Sequence, residues 1–286
     1  MSTAALRHRL RDGGPWRVLL PGIYLAATGT STVSQREVAA VLYAGQGSVI
    51  TGPAALRRYG IRGSSTVAMD VLVPVSCRRS GSGFVRLHRT TRMPTQLFTD
   101  GPVRFAPAAR AVADTARLLK NARDVRAVVA DAVQRGKCLP ERLVDELNGG
   151  PVQNSALLRL ALDDIASGIR SPAEADLRIL IKRSRLPEPM FNPLLFAGDT
   201  FIASPDCWWA HAGVAGEVDS REWHLSPEDW EQTMSRRTRM SAHGIIVLHF
   251  SPRQIRTQPR QVAAAIRSAL DSAAGRALPV TARRAR

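Results

Sequence analysis

The chain has 286 residues, of which 44% are hydrophobic, so it is long enough for two domains with packed cores and is not a disordered chain. Its 40 Arg and Lys residues outnumber 24 Asp and Glu, which gives a net charge of +16. This charge indicates a polyanionic partner, with nucleic acid as the leading candidate, although an arginine-rich proteome is an alternative explanation. No apolar run approaches the roughly 18 residues that cross a bilayer, so no membrane partner is expected.

The cysteines and the first residues of the chain indicate the cellular compartment of the protein. Cys77, Cys138 and Cys207 are odd in number and widely spaced, so they form neither a zinc pattern nor a disulfide framework. The first residues contain no apolar segment of the kind that a secretory signal needs. We therefore expect a reducing, cytoplasmic location, with the thiol of Cys207 as a bystander.

The start of the chain has the pattern of a small nucleic-acid reader. Residues 4–11 predict a short basic helix, and residues 16–26 predict a tight hairpin. Such a helix can enter a groove while the hairpin lies against phosphates, as in the back half of a winged helix. Residues 1–32 are therefore predicted to form a truncated winged-helix-like segment, or alternatively a frayed basic terminus before a structural hairpin. The predicted nucleic-acid contacts are Arg7, Arg9, Arg11 and Arg17.

Residues 33–150 are predicted to form an α+β middle domain that ends in a helical region. Two helices come first, the second with Thr51 as its predicted N-cap. Two strands at 67–73 and 84–88 follow, joined by the Arg- and Gly-rich residues 76–83, and residues 103–105 predict a third strand. These joining residues predict an exposed loop, which could also touch phosphate. From residue 107 the spacing predicts four helices, with Asp114 as the partner of a nearby Arg. The predicted helices are 107–119, 124–135, 141–147 and 154–166.

The last domain is predicted to span residues 151–275 and to be followed by a basic, disordered tail at 276–286. Its pattern is strand, turn, strand, helix and buried strand. The predicted elements are the strands 201–203 and 214–219, a helix at 226–243 and a strand at 245–250.

Three acidic residues fall on or beside these strands. Asp206 follows the first strand, and Glu217 and Asp219 are two residues apart on the second, so their side chains point to one face. Such carboxylates repel each other and raise each other's pKa unless a cation lies among them, and Mg²⁺ prefers oxygen ligands of this kind. With His224 close by, the pattern predicts hydrolysis of phosphodiesters that depends on Mg²⁺ or Mn²⁺. The alternative is a set of surface carboxylates that pair with nearby Arg.

Two further features flank this segment. Ser171-Pro172-Ala173-Glu174 predicts a helix that begins with a capping box. The helix at 226–243 carries Arg236 and Arg237, which are predicted to contact the nucleic-acid backbone or, alternatively, to form a solvated basic face.

Pro205-Asp206, Glu217-Val218-Asp219 and His224, followed by a helix and an apolar strand, resemble the PD-(D/E)XK nuclease core. More narrowly, they are similar to the very-short-patch-repair endonucleases. The resemblance covers residues 170–270 and implies an α/β, restriction-endonuclease-like core. It also implies metal ligands at Asp206 and Glu217, assisted by Glu174 from the preceding helix. Asp219 would hold a ligated water, and His224 would act as base or orient the water. The wider superfamily has Lys where Asp219 stands, and the narrower branch usually has Gly where Ser220 stands.

A second resemblance concerns the first half of the chain. The segments GPWRVLLPGIYLAATG (14–29), ITGPAALRRYGI (50–61) and ARAVADTARLL (109–119) are similar to actinobacterial proteins related to abortive-infection (AbiEi-like) antitoxins. Such proteins commonly carry the nuclease-like domain at the carboxyl end. The resemblance implies DNA as the nucleic acid, with RNA as the alternative, and a cognate toxin as a candidate partner. It leaves two functions open: a metal-dependent DNA endonuclease, or a non-catalytic DNA-binding regulator with a degenerate nuclease core.

Overall fold

The computed structural model describes residues 2–62, 67–219, 227–276 and 278–284, without the side chains of residues 227–230, 232 and 233. The chain is a mixed α/β protein, and it divides into a first unit, Met1–Leu162, and a second unit, Asp163–Arg286. Within the described ranges, no helix combines the length and the apolar character that a membrane crossing requires.

The first unit opens with the predicted helix and hairpin, α1 (Thr3–Arg9), β1 (Arg17–Leu20) and β2 (Ile23–Leu25). No residue of α1 is buried, so packing alone does not hold the helix. It is attached instead through Trp16, whose backbone N–H donates to the carbonyl of Arg9 at 3.1 Å. The Arg9 guanidinium also lies 4.6 Å from the centroid of the Trp16 ring, a cation–π contact.

A mixed five-stranded sheet forms the core of the first unit. Its strands are β3 (Val49–Thr51), β4 (Met69–Pro74), β5 (Val85–Thr90), β6 (Phe98–Asp100) and β7 (Val103–Phe105). Their order is β5-β4-β3-β7-β6, with the β3–β7 and β4–β5 pairs parallel. Ile50, Val71 and Phe105 are fully buried, because the central strands carry apolar side chains on both faces. The sequence pattern found three of these strands and missed the three-residue strands β3 and β6.

Helices account for the rest of the first unit. They are α2 (Val33–Ala44), α3 (Gly52–Arg58), α4 (Ala108–Leu118), α5 (Ala122–Gln134), α6 (Pro140–Gly149) and α7 (Ala156–Ala166). The four helices predicted after residue 107 are confirmed. The division between the two units falls inside α7 rather than at the Gly149-Gly150-Pro151 break used to bound the predicted domains.

One predicted cap is replaced by a tertiary contact. Thr51 was expected to cap α3, but it makes no side-chain cap hydrogen bond. Its hydroxyl donates instead to Asp114 Oδ2 at 2.7 Å, and Arg110 Nε donates to the same oxygen at 2.9 Å. Asp114 is therefore the Arg partner that the sequence predicts, and it joins the start of α3 to α4.

The second unit contains two sheets. Its elements are α8 (Pro172–Arg183), β8 (Met190–Phe191), β9 (Pro193–Ala197), β10 (Thr200–Ala203), β11 (Cys207–Trp209), β12 (Val214–Val218), α9 (Pro227–Ala242), β13 (Ile246–Phe250), α10 (Pro252–Thr257), α11 (Pro259–Ser272) and β14 (Thr281–Arg284). One sheet has the order β13-β12-β11-β8, with β12 and β13 parallel, and α9 lies between these two strands in the chain. The other has the order β10-β9-β14.

The structure corrects the predicted strand pairing. The strand at 201–203 was expected to pair with the strand that carries Glu217, but β10 pairs with β9 in the smaller sheet. Ser204-Pro205 ends β10, and the chain then enters the larger sheet as β11, a strand that the prediction missed. It is β11 that pairs with β12.

The prediction of a disordered tail is wrong for residues 281–284. They form β14, which pairs antiparallel with β9. The strand forms because the tail is basic but not uniformly polar: Val280 and Ala282 pack against a buried cluster that contains Leu195. The Arg283 guanidinium lies 4.6 Å from the centroid of the Phe196 ring.

Candidate active site

The two faces of β12 have different neighbours. Val214 and Val218 belong to the buried cluster formed with α8 and α11, whereas Ala215 belongs to the cluster on the other face, with Met240 of α9. By the alternation of strand side chains, Glu217 shares the face of Ala215. Asp219 follows with the same parity, and its N–H donates to the carbonyl of Phe250 at 3.0 Å, which continues the pairing with β13. The two acidic residues therefore emerge on the α9 side of the sheet.

Asp206 reaches the same strand by a different route. It immediately precedes β11, the antiparallel neighbour of β12. Its Oδ2 accepts a hydrogen bond of 2.6 Å from the backbone N–H of Val218. The structure thus brings Asp206 to the residue that follows Glu217, although the strand that does so is not the predicted one.

The charges of this cluster are unfavourable. Burial, together with the negative charges of Glu174 and Glu217, raises the pKa of Asp206 to about 7 against the opposing hydrogen bond from Val218. Burial also raises the pKa of Glu217, although the neighbouring guanidinium of Arg236 acts in the opposite direction. Each carboxylate is therefore destabilised in its ionised form.

Glu174 is buried and held by hydrogen bonds. Its Oε2 accepts from Asn192 Nδ2 at 2.7 Å and from the backbone N–H of Arg170 at 2.9 Å. The Glu174 N–H donates to Ser171 Oγ at 3.2 Å, which confirms the predicted N-cap of α8. The capping box itself is only half formed, because the carboxylate bonds Arg170 and not Ser171. Glu174 thus has a structural role and also contributes charge at Asp206.

Two arginines of α9 face this cluster. Arg236 donates to Glu217 Oε2 at 3.1 Å, and Arg237 donates to His249 Nδ1 at 3.1 Å. His249 lies on β13 directly opposite Glu217 in the register. Burial and the charge of Arg237 lower the pKa of His249, so the ring is neutral at pH 7 and its Nδ1 accepts the bond. The two arginines therefore contact site residues rather than forming a solvated face.

The side chains of this cluster provide only some of the ligands that a hard cation prefers. Among the described residues, no group of three or more His, Cys, Asp or Glu side chains could hold a metal ion. However, Glu217 Oε1 is buried and has no hydrogen-bond partner among the same residues. Mg²⁺ commonly binds one or two carboxylates and completes its coordination with water and substrate phosphates. A carboxylate pair with one unpartnered oxygen fits that mode of binding.

The structure places the other predicted site residues as follows. His224 lies outside the described residues. Trp208 and Trp209, which flank Cys207, are 2% and 1% exposed and belong to the core. The Cys207 thiol is fully buried, and burial raises its pKa well above the ordinary value, as expected of a bystander. The four predicted nucleic-acid contacts of the first unit are exposed: Arg7, Arg9, Arg11 and Arg17.

Sequence reasoning missed two residues of this cluster. His249 is a polar residue within an otherwise apolar strand parallel to the one that carries Glu217, and that combination is a usable signal. Asn192 gave no such signal, because its contact with Glu174 depends on a left-handed backbone conformation, with φ of 47°.

Two known proteins match this chain over nearly its whole length. No family model matches it. It is 24% identical over 274 residues to two uncharacterised Mycobacterium tuberculosis proteins, Rv2248 of strain H37Rv and MT2308 of strain CDC 1551. The similarity covers 96% of this chain and 98% of each relative. It therefore runs through both units, and neither printed name gives an activity.

Proposed function

We propose that the second unit is a divalent-metal-dependent endonuclease of the very-short-patch-repair type that hydrolyses phosphodiester bonds of DNA. The observation that carries the proposal is the pair Asp206 and Glu217. Both carboxylates have raised pKa values, and Glu217 has one buried oxygen without a partner among the described residues. Placing two such groups together costs stability, and this cost is typical of functional sites.

The order of elements from α8 to β13 supports a restriction-endonuclease-like core. Helix α8 precedes the strands, β11 and β12 form an antiparallel pair, and α9 leads to β13, which is parallel to β12. Asp206 and Glu217 lie at the β11–β12 pair.

Asp206 and Glu217 would hold Mg²⁺ or Mn²⁺, and the ion would activate water and neutralise charge on the phosphate. Asp219 would orient the attacking water, and His224 would accept its proton. The water oxygen bonds to phosphorus, the ester P–O bond breaks, and the leaving oxygen takes a proton from solvent. Arg236 and Arg237 would bind the phosphate oxygens, since a guanidinium matches their geometry.

The test is cleavage of DNA by purified full-length protein. Supercoiled plasmid and mismatched duplex are incubated with Mg²⁺, Mn²⁺ or EDTA, and nicking is followed on gels. We expect nicking with metal only, and we expect Asp206→Ala and Glu217→Ala to reduce it to the EDTA level.

Glu231→Ala is the matched control, because Glu231 is an exposed acidic residue of α9. It should cleave like the unsubstituted protein. Metal-independent cleavage, or cleavage that survives both site substitutions, would contradict the proposal, provided that thermal melts show all variants folded.

A second function has its own supporting observation. Arg236 forms an ion pair with Glu217 at 3.1 Å. This contact suits a non-catalytic DNA-binding regulator, related to AbiEi-like antitoxins, that keeps the nuclease core as a scaffold. DNA binding that survives both site substitutions, without cleavage of any substrate, would favour this function. Co-purification with a toxin encoded beside it would then identify the partner.

A further inference from the structure

The positive charge of the protein is concentrated in the first unit. Residues 1–162 contain 23 Arg and Lys against 10 Asp and Glu, a net charge of +13 out of +16. Within them, residues 1–90 contain 12 Arg, no Lys and three acidic residues. With 12 basic and three acidic residues, the first 90 residues therefore carry +9 of the first unit's net charge of +13.

Most of the acidic groups in this segment do not reach the surface. Glu37 and Asp70 are each 1% exposed. Glu37 forms an ion pair with Arg58, and Asp70 accepts from His88 at 2.7 Å and pairs with Arg86 at 3.2 Å. Only Asp12 remains as an exposed carboxylate among the described residues of the segment. A surface of one sign and this extent favours a polyanion.

The loop at residues 76–83, between β4 and β5, has a defined conformation. Arg89 donates to the carbonyls of Cys77 and Arg79, each at 2.8 Å. The Tyr43 hydroxyl donates to the carbonyl of Ser80 at 2.8 Å, and Arg79 donates to the carbonyl of Tyr43. These bonds attach the loop to β5 and α2. It is therefore a supported structure and not a freely moving link.

The loop also adjoins the amino-terminal hairpin. A Cβ atom at Gly83 would lie 3.2 Å from the side chain of Leu20, the last residue of β1. The hairpin in turn contacts α1 through Trp16 and Arg9. Helix α1, the hairpin and the loop are thus joined by contacts. We call these three segments the basic surface.

Arg78 stands out within the basic surface. It is exposed, and no described residue forms a hydrogen bond or an ion pair with it. Arg89 and Arg79 hold the loop in shape, so the backbone on either side of Arg78 is fixed while its guanidinium is free to bind. Pre-ordering of this kind reduces the entropy cost of binding.

We propose that the loop at residues 76–83 is a phosphate-contacting arm that binds the backbone of duplex DNA beside α1 and the hairpin, with Arg78 as its contact residue. A duplex is favoured because a helix flanked by a hairpin fits a groove and its two phosphate ridges. The inference does not require the second unit to be catalytic.

The experiment measures binding of a fluorescently labelled mixed-sequence DNA duplex by full-length protein in EDTA, over a series of salt concentrations. Arg78→Glu is the test variant. Because each lost phosphate contact lowers the slope of log affinity against log salt by about one, we expect a slope lower by about that amount and an affinity several-fold weaker. Arg78 has no partner to lose, so folding should be unaffected.

Arg142→Glu is the control. Arg142 is exposed on α6, outside the basic surface, and its substitution changes the net charge by the same amount as Arg78→Glu. It should leave the slope unchanged. Equal effects of the two substitutions would show that only net charge matters and would overturn the assignment of the arm. Tighter binding of an RNA duplex of the same sequence would overturn the choice of DNA. Failure of cleavage would leave this result untouched.

Discussion

Asp206 shows most clearly how the site works against the stability of the fold. An aspartate with a pKa of about 7 in the folded protein, against 3.8 for the ordinary side chain, is more easily protonated when folded. The folded state is therefore favoured most below pH 4, and this contribution is lost as pH rises towards 7. The site is under electrostatic strain at neutral pH unless a cation or a guanidinium relieves it.

The first prediction concerns this strain. In EDTA, Asp206→Asn should be more stable than the unsubstituted protein at pH 8, and the advantage should shrink as pH falls from 7 towards 4. Because the pKa of Asp206 is raised by about three, the ionised carboxylate lowers the free energy of unfolding at pH 8 by about 4 kcal/mol. Urea unfolding at pH 5, 6.5 and 8 measures the difference.

Asp199→Asn provides the comparison, because Asp199 is exposed in the turn between β9 and β10. Its difference from the unsubstituted protein should not change with pH in this range. A pH-independent difference for Asp206→Asn as well would mean that the carboxylate is solvated in the folded protein.

Sequence reasoning succeeded with residues whose role depends on local spacing. The alternation of Glu217 and Asp219, the N-cap at Ser171 and the pairing of Asp114 with Arg all follow from neighbours a few positions apart. It failed where the partner lies far along the chain. The contacts of Glu174 with Asn192, of Arg236 with Glu217 and of Arg237 with His249 cross between elements, and no spacing encodes them.

At the scale of elements, the β11–β12 pair positions the site, and its packing is tight. Gly216 lies opposite Cys207 in the register, and a Cβ atom at Gly216 would lie 2.6 Å from Cys207 Sγ. Gly216 is therefore required by close approach, not by backbone conformation. The Trp209 ring lies 3.6 Å from the same Cβ position, so an added methyl group has little room to move away from the sulfur.

The second prediction follows from this contact. Gly216→Ala should destabilise the protein by about 1–3 kcal/mol, the usual cost of overpacking a core. The double variant Gly216→Ala, Cys207→Ala should recover much of the loss, because it removes the sulfur that the new methyl group meets. Urea unfolding of both single variants and the double variant measures the coupling. Additive effects would mean that the strand pair adjusts without contact between the two side chains.

Short strands explain most of the errors in the predicted elements. β3, β6 and β11 have three residues each, too few for a pattern of alternation to be visible. β14 was missed for a different reason, since its basic composition predicted a solvated tail while its apolar residues pack against Leu195. Helices α4, α5 and α7 were found because their periodicity repeats several times. The 14-residue helix α11 and the five-residue strand β9 were not predicted.

At the scale of the whole molecule, charge and chemistry are divided between the two units. The first unit carries +13 of the net charge, and the second contains the carboxylate pair. Composition alone predicted a nucleic-acid partner, but only the fold shows that Glu37 and Asp70 are buried, which leaves Asp12 as the one exposed carboxylate among residues 2–62 and 67–90.

The third prediction is that DNA binding and metal binding can each be impaired by a substitution that leaves the other unchanged. Arg78→Glu should weaken DNA binding and leave metal binding unchanged. Glu217→Gln should weaken metal binding. It should not weaken DNA binding, since the substitution removes a negative charge. Fluorescence anisotropy and calorimetry on the same preparations test both. A single substitution that impairs both properties, with folding intact, would argue for one shared site.

The most direct test of the central claim is calorimetric titration of Mn²⁺ into the full-length protein at pH 8, since metal binding does not depend on knowing the DNA target. We predict saturable binding that Asp206→Asn and Glu217→Gln each weaken by about tenfold or more, equal to about 1.4 kcal/mol. Glu231→Gln should bind like the unsubstituted protein. Absence of saturable binding, or equal binding by all four proteins, would contradict a metal site at Asp206 and Glu217.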